Sequence, residues 1–349
     1  MDRLAKFKGP IDESTSKYLR ELFSNTSNIG GWKDNLLGVL EEFSKRGKSV
    51  RGKLALASCE MFGGVIDENA LKVAAAIEIF NSALLIHDDI IDNDEIRRGG
   101  KTIFKHYIDF ADKEGFDDRE HFGKSMGICA GDICIGVVFD ILGKLEISED
   151  KKSKIISLFS GELASVGFAE MDDVYLGFSD KEFDRERILD MYKYKTGQYT
   201  FSVPLIAGSI LAGKGDKDEL NKLGHFLGIA YQVKDDELGI FGSESELGKP
   251  VGSDIIEDKK TLFRAYLFES VGEEERNRLK NIFGNKEIGE EEIEFVRGLM
   301  KRYSVRDRVD KDVEEVEKEA EEIINGLPVS ESDREFLVDF LRYNIRRRR

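Results

Sequence analysis

The chain is 349 residues long, and its 69 Asp and Glu outnumber 53 Lys and Arg to give a formal net charge of −16. That surplus repels phosphate backbones and anionic lipid surfaces, so nucleic acid and a broadly anionic membrane are excluded as partners. With 40% hydrophobic residues the chain can bury a large core, and its 4 prolines leave little linker chemistry, so one domain spanning 1–349 is expected.

The amino-terminal MDRLAKFKGPIDEST has no apolar segment of signal-peptide length. Nor does any run approach the roughly 18 consecutive apolar residues of a membrane span, so a cytoplasmic location is expected. Helical periodicity appears at 14–24, 33–46 and 50–62, and then in the run 69–92, NALKVAAAIEIFNSALLIHDDIID. This run lacks Pro and Gly and has apolar residues all round its axis, which predicts a buried helix. Loop signals follow at Gly99-Gly100 and in the charged insert DFADKEGFDDRE (109–120). Further helical patterns run over 121–145, 151–176, 184–211, 217–241, 258–271, 274–284, 289–303, 305–325 and 330–346. Strand-like alternation is scarce, so the fold class is all-α. Cys59, Cys129 and Cys134 cannot all pair, and no second ligand pair lies near the Cys-x4-Cys spacing, so buried thiols are expected.

The buried helix ends in Asp88, Asp89 and Asp92, with Asp88 and Asp92 four apart on one face. Carboxylates at the negative end of a helix dipole repel one another and call for a cation. Mg²⁺ suits the role, since it takes one or two carboxylates and keeps positions open for phosphate oxygens. A second apolar helix, LGHFLGIAYQVKDDELGIFG (223–242), repeats the plan with Gln232, Asp235 and Asp236. Short basic signatures accompany the two clusters: Lys48 and Arg51 in GKSVRG, Arg97 and Arg98 in RRGG, Lys195-Thr196 in KTG, Lys249 in GKP, and Lys259-Lys260. Arginine's planar fork matches two diphosphate oxygens, and lysine adds a mobile point charge.

The order GKSVRG, LLIHDDIIDNDEIRRGG, YKYKTGQ and YQVKDDELGIFGSESELGKPVGSDIIEDKKTL resembles the trans-isoprenyl diphosphate synthases. The likeness covers a motif-bearing core of about 44–265, with the helices of 266–349 following. It implies an all-α, single-domain helix bundle of the isoprenoid synthase type with a central cavity. It also implies head-to-tail condensation of isopentenyl diphosphate with an allylic prenyl diphosphate, two or three Mg²⁺ ions and a homodimer. The resemblance makes Asp88, Asp92 and Asp235 the metal ligands. Arg97, Lys195 and Lys249 are implied around the allylic diphosphate, with Gln232 and Lys259 close by, and Lys48, Arg51 and Arg98 around isopentenyl diphosphate. Lys195, Thr196, Gln232 and Arg97 are the implied catalytic set, and the Tyr231 ring can attract the developing cation.

Three positions depart from the family pattern. Gly239 replaces the last aspartate of the second motif and implies a thinner outer metal shell. Asn81 replaces a histidine frequent in the isopentenyl site, and Leu84 replaces a frequent serine. Product length is read from the first helix, where Ala83 is too small to block a growing chain and Phe80, about 12 Å below Asp88, forms a floor. That depth predicts a geranylgeranyl product. The tail YNIRRRR (343–349) is either a solubilising extension or a flap over the isopentenyl pocket. Rival readings are a class I terpene cyclase, which does not need Lys48, Arg51 and Arg98, and a non-catalytic regulatory subunit, which tends to lose one aspartate motif.

Overall fold

The computed structural model describes residues 2–179, 181–215, 217–242 and 252–347. The chain begins with helices α1 (Asp2–Ala5), α2 (Lys8–Asn25), α3 (Trp32–Lys45), α4 (Val50–Met61) and α5 (Glu68–Asp92). A hairpin of β1 (Ile96–Arg97) and β2 (Gly100–Lys101) precedes α6 (Ile103–Glu114), α7 (Arg119–Gly143) and α8 (Glu149–Phe178). Then come α9 (Arg185–Met191), a π-helix (Tyr192–Ser202), α10 (Val203–Ala212) and α11 (Lys217–Phe241). The carboxy-terminal part holds α12 (Ser253–Ile256), α13 (Leu262–Ser270), α14 (Glu273–Ile282), α15 (Glu290–Arg302), α16 (Val305–Gly326) and α17 (Glu331–Arg346). The fold is all-α, as the sequence predicts.

The chain divides into two compact units, one of residues 1–159 and 204–214, the other of 160–203 and 215–349. In the first, α5 packs against α2, α4 and α7. Asp67 caps α5 by accepting from the Ala70 N–H at 2.9 Å, and Asn93 closes it in the left-handed conformation at φ 58°. The alanines of α5 admit close neighbours: a Cβ on Gly52 of α4 would lie 3.0 Å from the Ala74 carbonyl. Phe80 and Phe159 pack edge to face at 5.7 Å in this core. In the second unit, α11 packs against the π-helix, α16 and α17.

Two sequence expectations need correction. The insert 109–120 is helical as far as Glu114, because Ile103, Phe104, Tyr107 and Ala111 give α6 a buried stripe opposite its charges. Cys59 and Cys134 are buried, but Cys129 is exposed. By length and composition alone, α5 and α7 are apolar enough to cross a membrane. Burial identifies α5 as a core helix, whereas α7 leaves Ile128 and Ile133 exposed.

Candidate active site

In the first unit the acidic end of α5 meets a basic hairpin. Arg98 and Gly99, both at positive φ (52° and 72°), turn the chain tightly between β1 and β2. That turn brings Arg97 back onto the helix end, where Nη2 donates to Asp88 Oδ2 at 2.9 Å and Nε donates to Asp89 Oδ1. Asp89 is fully buried, and burial pushes its carboxyl up to about 7 against the opposing pull of Arg97. Its other oxygen, Oδ2, has no hydrogen-bond partner. Asp92 is exposed on the face it shares with Asp88.

The same hairpin reaches the Gly47–Ser49 loop and the first turn of α4. Arg98 lies so close over Gly47 that a Cβ there would sit 2.7 Å from Nη1. Glu78, half-buried on α5, accepts the Gly52 N–H at 2.7 Å, and desolvation raises its carboxyl despite Arg51 and Arg98 nearby. A small cleft here is lined by Ser49, Glu78, Ser82 and Arg98 among others. Asn81 is buried with Oδ1 unpartnered, and Lys48 is exposed. Arg98 is therefore gathered with the loop that carries Lys48 and the first turn of α4, which carries Arg51. Glu78 was not singled out by sequence reasoning, although a lone acid within AAAIEIF was the available signal.

In the second unit the π-helix and α11 meet backbone to backbone. A Cβ on Gly228 would overlap the Cα of Gly197, and one on Gly224 would overlap Ser202. This approach lets the Thr196 hydroxyl donate to Gln232 Oε1 at 3.0 Å, while Gln232 Nε2 donates to Asp236 Oδ1 at 2.9 Å. Tyr192 donates its hydroxyl to the other Asp236 oxygen and accepts the Leu262 N–H at 3.1 Å. Burial, with Asp254 nearby, raises the Asp236 carboxyl to about 8, so Asp236 is the buried hub of this network. Wide π-turns are frequent at functional sites.

The other expected residues have local partners. Lys195 pairs with Asp173 and with Glu170 at 3.3 Å, both on α8. Asp235 is exposed and pairs with Arg347 at 3.0 Å. Lys259 lies 3.2 Å from Glu257 and 3.7 Å from Asp254. Lys249 lies outside the described residues. The structure explains Gly239: a Cβ there would overlap the Asp254 carboxylate, so α12 fills the space with an acid of its own. Sequence reasoning missed Tyr192, Asp236 and Asp254 as network members, and the position of Asp254 beside Gly239 has no local sequence signal.

The donor set fits a hard divalent cation. Every candidate ligand is a carboxylate oxygen, and Asp89 Oδ2 is an orphaned acceptor beside Asp88. Among the described residues no three His, Cys, Asp or Glu side chains converge to hold an ion on their own. Mg²⁺ takes one or two carboxylates and completes its shell with water and phosphate oxygens.

A family model described as polyprenyl synthetase matches residues 34–300, which include all the motif residues named above. The geranylgeranyl diphosphate synthase of Saccharolobus solfataricus is 32% identical over 97% of this chain and 99% of its own length. A short chain isoprenyl diphosphate synthase of Methanocaldococcus jannaschii is 31% identical over 73% of this chain and 72% of its own. Among solved structures, the geranylgeranyl pyrophosphate synthase of Corynebacterium glutamicum, complexed with isoprenyl diphosphate and magnesium, aligns with a TM-score of 0.89 at 26% identity. That alignment covers 99% of both chains. The fold and site thus define a prenyltransferase of the all-α class. The chain belongs to the polyprenyl synthetase family.

Proposed function

We propose that this chain condenses isopentenyl diphosphate head-to-tail with an allylic prenyl diphosphate and that its main product is geranylgeranyl diphosphate. The observation that carries the reading is the pair of aspartate clusters, one at the end of α5 and one within the last two turns of α11, each paired with an arginine. Asp88, Asp92 and Asp235 would hold magnesium, which when bound supplies positive charge to the departing diphosphate. By the family resemblance, Lys195, Arg97, Lys249 and Lys259 would add positive charge around that leaving group, which favours cleavage of the allylic C–O bond. Lys48, Arg51 and Arg98, with Asn81, orient isopentenyl diphosphate so that its double bond attacks the allylic cation, and the new cation then loses a proton to the released diphosphate. Thr196 and Gln232 present oxygen dipoles to that cation, held in place by Asp236 and Tyr192. The pair of substrates needs no side-chain nucleophile.

Ala83 and Phe80, both buried on α5 with Leu84 partly buried beside them, are the residues we assign to product length. The two units are read as halves of one polyprenyl synthetase domain. A cytoplasmic homodimer is part of the same reading, and the exposed Ile128 and Ile133 of α7 support self-association. The test is incubation with Mg²⁺, labelled isopentenyl diphosphate and each allylic diphosphate in turn, followed by chain-length analysis. Elongation to a twenty-carbon product is expected. Folded protein that elongates no primer would overturn the reading.

A further inference from the structure

The carboxy-terminal helix α17 is fixed to α11 through aromatic rings. Phe340 meets Phe201 at 6.1 Å, and Phe201 meets Tyr231 at 5.8 Å. Past Arg346 the backbone turns extended, with φ −58° and ψ 153° at Arg347, which ends the helix. Arg347 then folds back over α11. Its guanidinium carbon stands 3.9 Å from the Tyr231 ring centroid, and Nη2 donates to the Tyr231 carbonyl at 3.2 Å and to Asp235 Oδ1 at 3.0 Å. The Arg347 side chain is only 8% exposed, whereas that of Asp235 is 58% exposed.

This arrangement differs from a surface ion pair. The cation is the buried partner, and its Nε has no hydrogen-bond partner, so the guanidinium is held at some cost in desolvation. The gain that offsets this comes from one carboxylate, one carbonyl and one ring face. All three belong to a single stretch of α11, Tyr231 to Asp235. A divalent ion held by Asp235 would share one carboxylate with the guanidinium, which already donates to Oδ1 at 3.0 Å. Two cations on one carboxylate repel, so the ion and Arg347 cannot share Asp235 at full strength.

We propose that Arg347 is an internal counter-cation for Asp235, which a divalent ion arriving with diphosphate displaces. The proposal rests on the reading of Asp235 as a metal ligand. Displacement frees an oxygen of Asp235 and uncovers the Tyr231 ring, so one event readies both a metal ligand and an aromatic face. The tail is then neither a solvated extension nor simply a flap over the isopentenyl pocket. It is a latch on the second aspartate motif.

The test compares full-length wild type with Arg347→Ala, using Arg342→Ala as control because Arg342, on the same helix that leads to Arg347, pairs instead with Glu317 and Glu321 of α16. Calorimetry follows binding of Mg²⁺ with inorganic diphosphate, and thermal unfolding is recorded without metal. Arg347→Ala should bind about threefold to tenfold more tightly, about 0.7 to 1.4 kcal/mol, and should unfold earlier without metal. Arg342→Ala should leave the affinity at the wild-type value. A metal-free double-mutant cycle with Asp235→Asn should show coupling between the two positions. Unchanged affinity in Arg347→Ala, or no coupling in the cycle, overturns the latch. Weaker binding also overturns it and would make Arg347 a diphosphate ligand. Wild type that binds no magnesium with diphosphate would instead remove the metal role of Asp235, and this proposal would fall with it.

Discussion

Replacing Gly239 by aspartate would restore the spacing of a full second motif, yet the structure predicts that it damages the protein. The new Cβ would begin inside the space held by the Asp254 carboxylate, which is 7% exposed and lies near Asp236. Overpacking a filled site costs about 1–3 kcal/mol. Two carboxylates about 4 Å apart add about 4 kcal/mol of repulsion at an effective dielectric of about 20, an upper value that proton uptake relieves. Replacing a helical glycine returns less than about 1 kcal/mol. A net loss of about 3–5 kcal/mol is therefore expected from a total stability of about 5–15 kcal/mol. Urea unfolding at neutral pH measures it, alongside incorporation of labelled isopentenyl diphosphate. Gly239→Ala isolates the steric part and should lose about 1–3 kcal/mol. The double variant Gly239→Asp with Asp254→Gly moves the acid back onto α11 and should regain most of the stability. Gly239→Asp alone that is as stable as wild type, with undiminished turnover, would refute the claim that Asp254 already fills this position.

Phe80→Ala should lengthen the product and Ala83→Phe should shorten it, read by chromatography of the hydrolysed prenols. The first should also cost about 3–5 kcal/mol by opening a cavity beside Phe159. Unchanged products in both variants would make Phe80 a core residue only. Tyr192→Phe strips the hydroxyl that joins Asp236 to the Leu262 N–H, so it should lose about 1–3 kcal/mol and lower kcat more than it alters KM. Equal kcat in wild type and variant would refute the role of Tyr192 in holding Gln232. Glu162 is buried with neither carboxylate oxygen in a regular hydrogen bond, and burial raises its carboxyl to about 8, against Gln198. The folded protein thus holds a proton that the unfolded chain has released, so stability should fall as pH rises from about 4.5 to about 8. Glu162→Gln should flatten that decline, with the largest gain in Tm near the upper end. Parallel pH profiles for the two proteins would refute it.

Helix positions were largely legible because apolar spacing determines which faces are buried. The patterns 217–241 and 330–346 correspond closely to Lys217–Phe241 and Glu331–Arg346. The single pattern at 184–211 instead divides into α9, the π-helix and α10, since spacing along the sequence does not distinguish one wide turn from another. At the site, residue types were legible and partners were not. Arg97 is recognisable as a phosphate-binding type, but its grip on Asp88 and Asp89 depends on two positive φ values at Arg98 and Gly99. Asp254 and Gly239 lie fifteen positions apart, and only the folded backbone brings the carboxylate into the space the glycine leaves.

The π-helix from Tyr192 to Ser202 also determines which changes this segment tolerates. A wide turn accommodates more residues per turn than an α-helix, so losing one residue tightens it to α. Side chains within the tightened turns would change bearing, since α-helical residues step by about 100° each and π-helical ones by less. Lys195 would leave Asp173, and Thr196 would leave Gln232, with every amino acid of the motif still present. Natural variants of this stretch should therefore exchange residues freely at Lys193 or Tyr194 yet keep its length invariant.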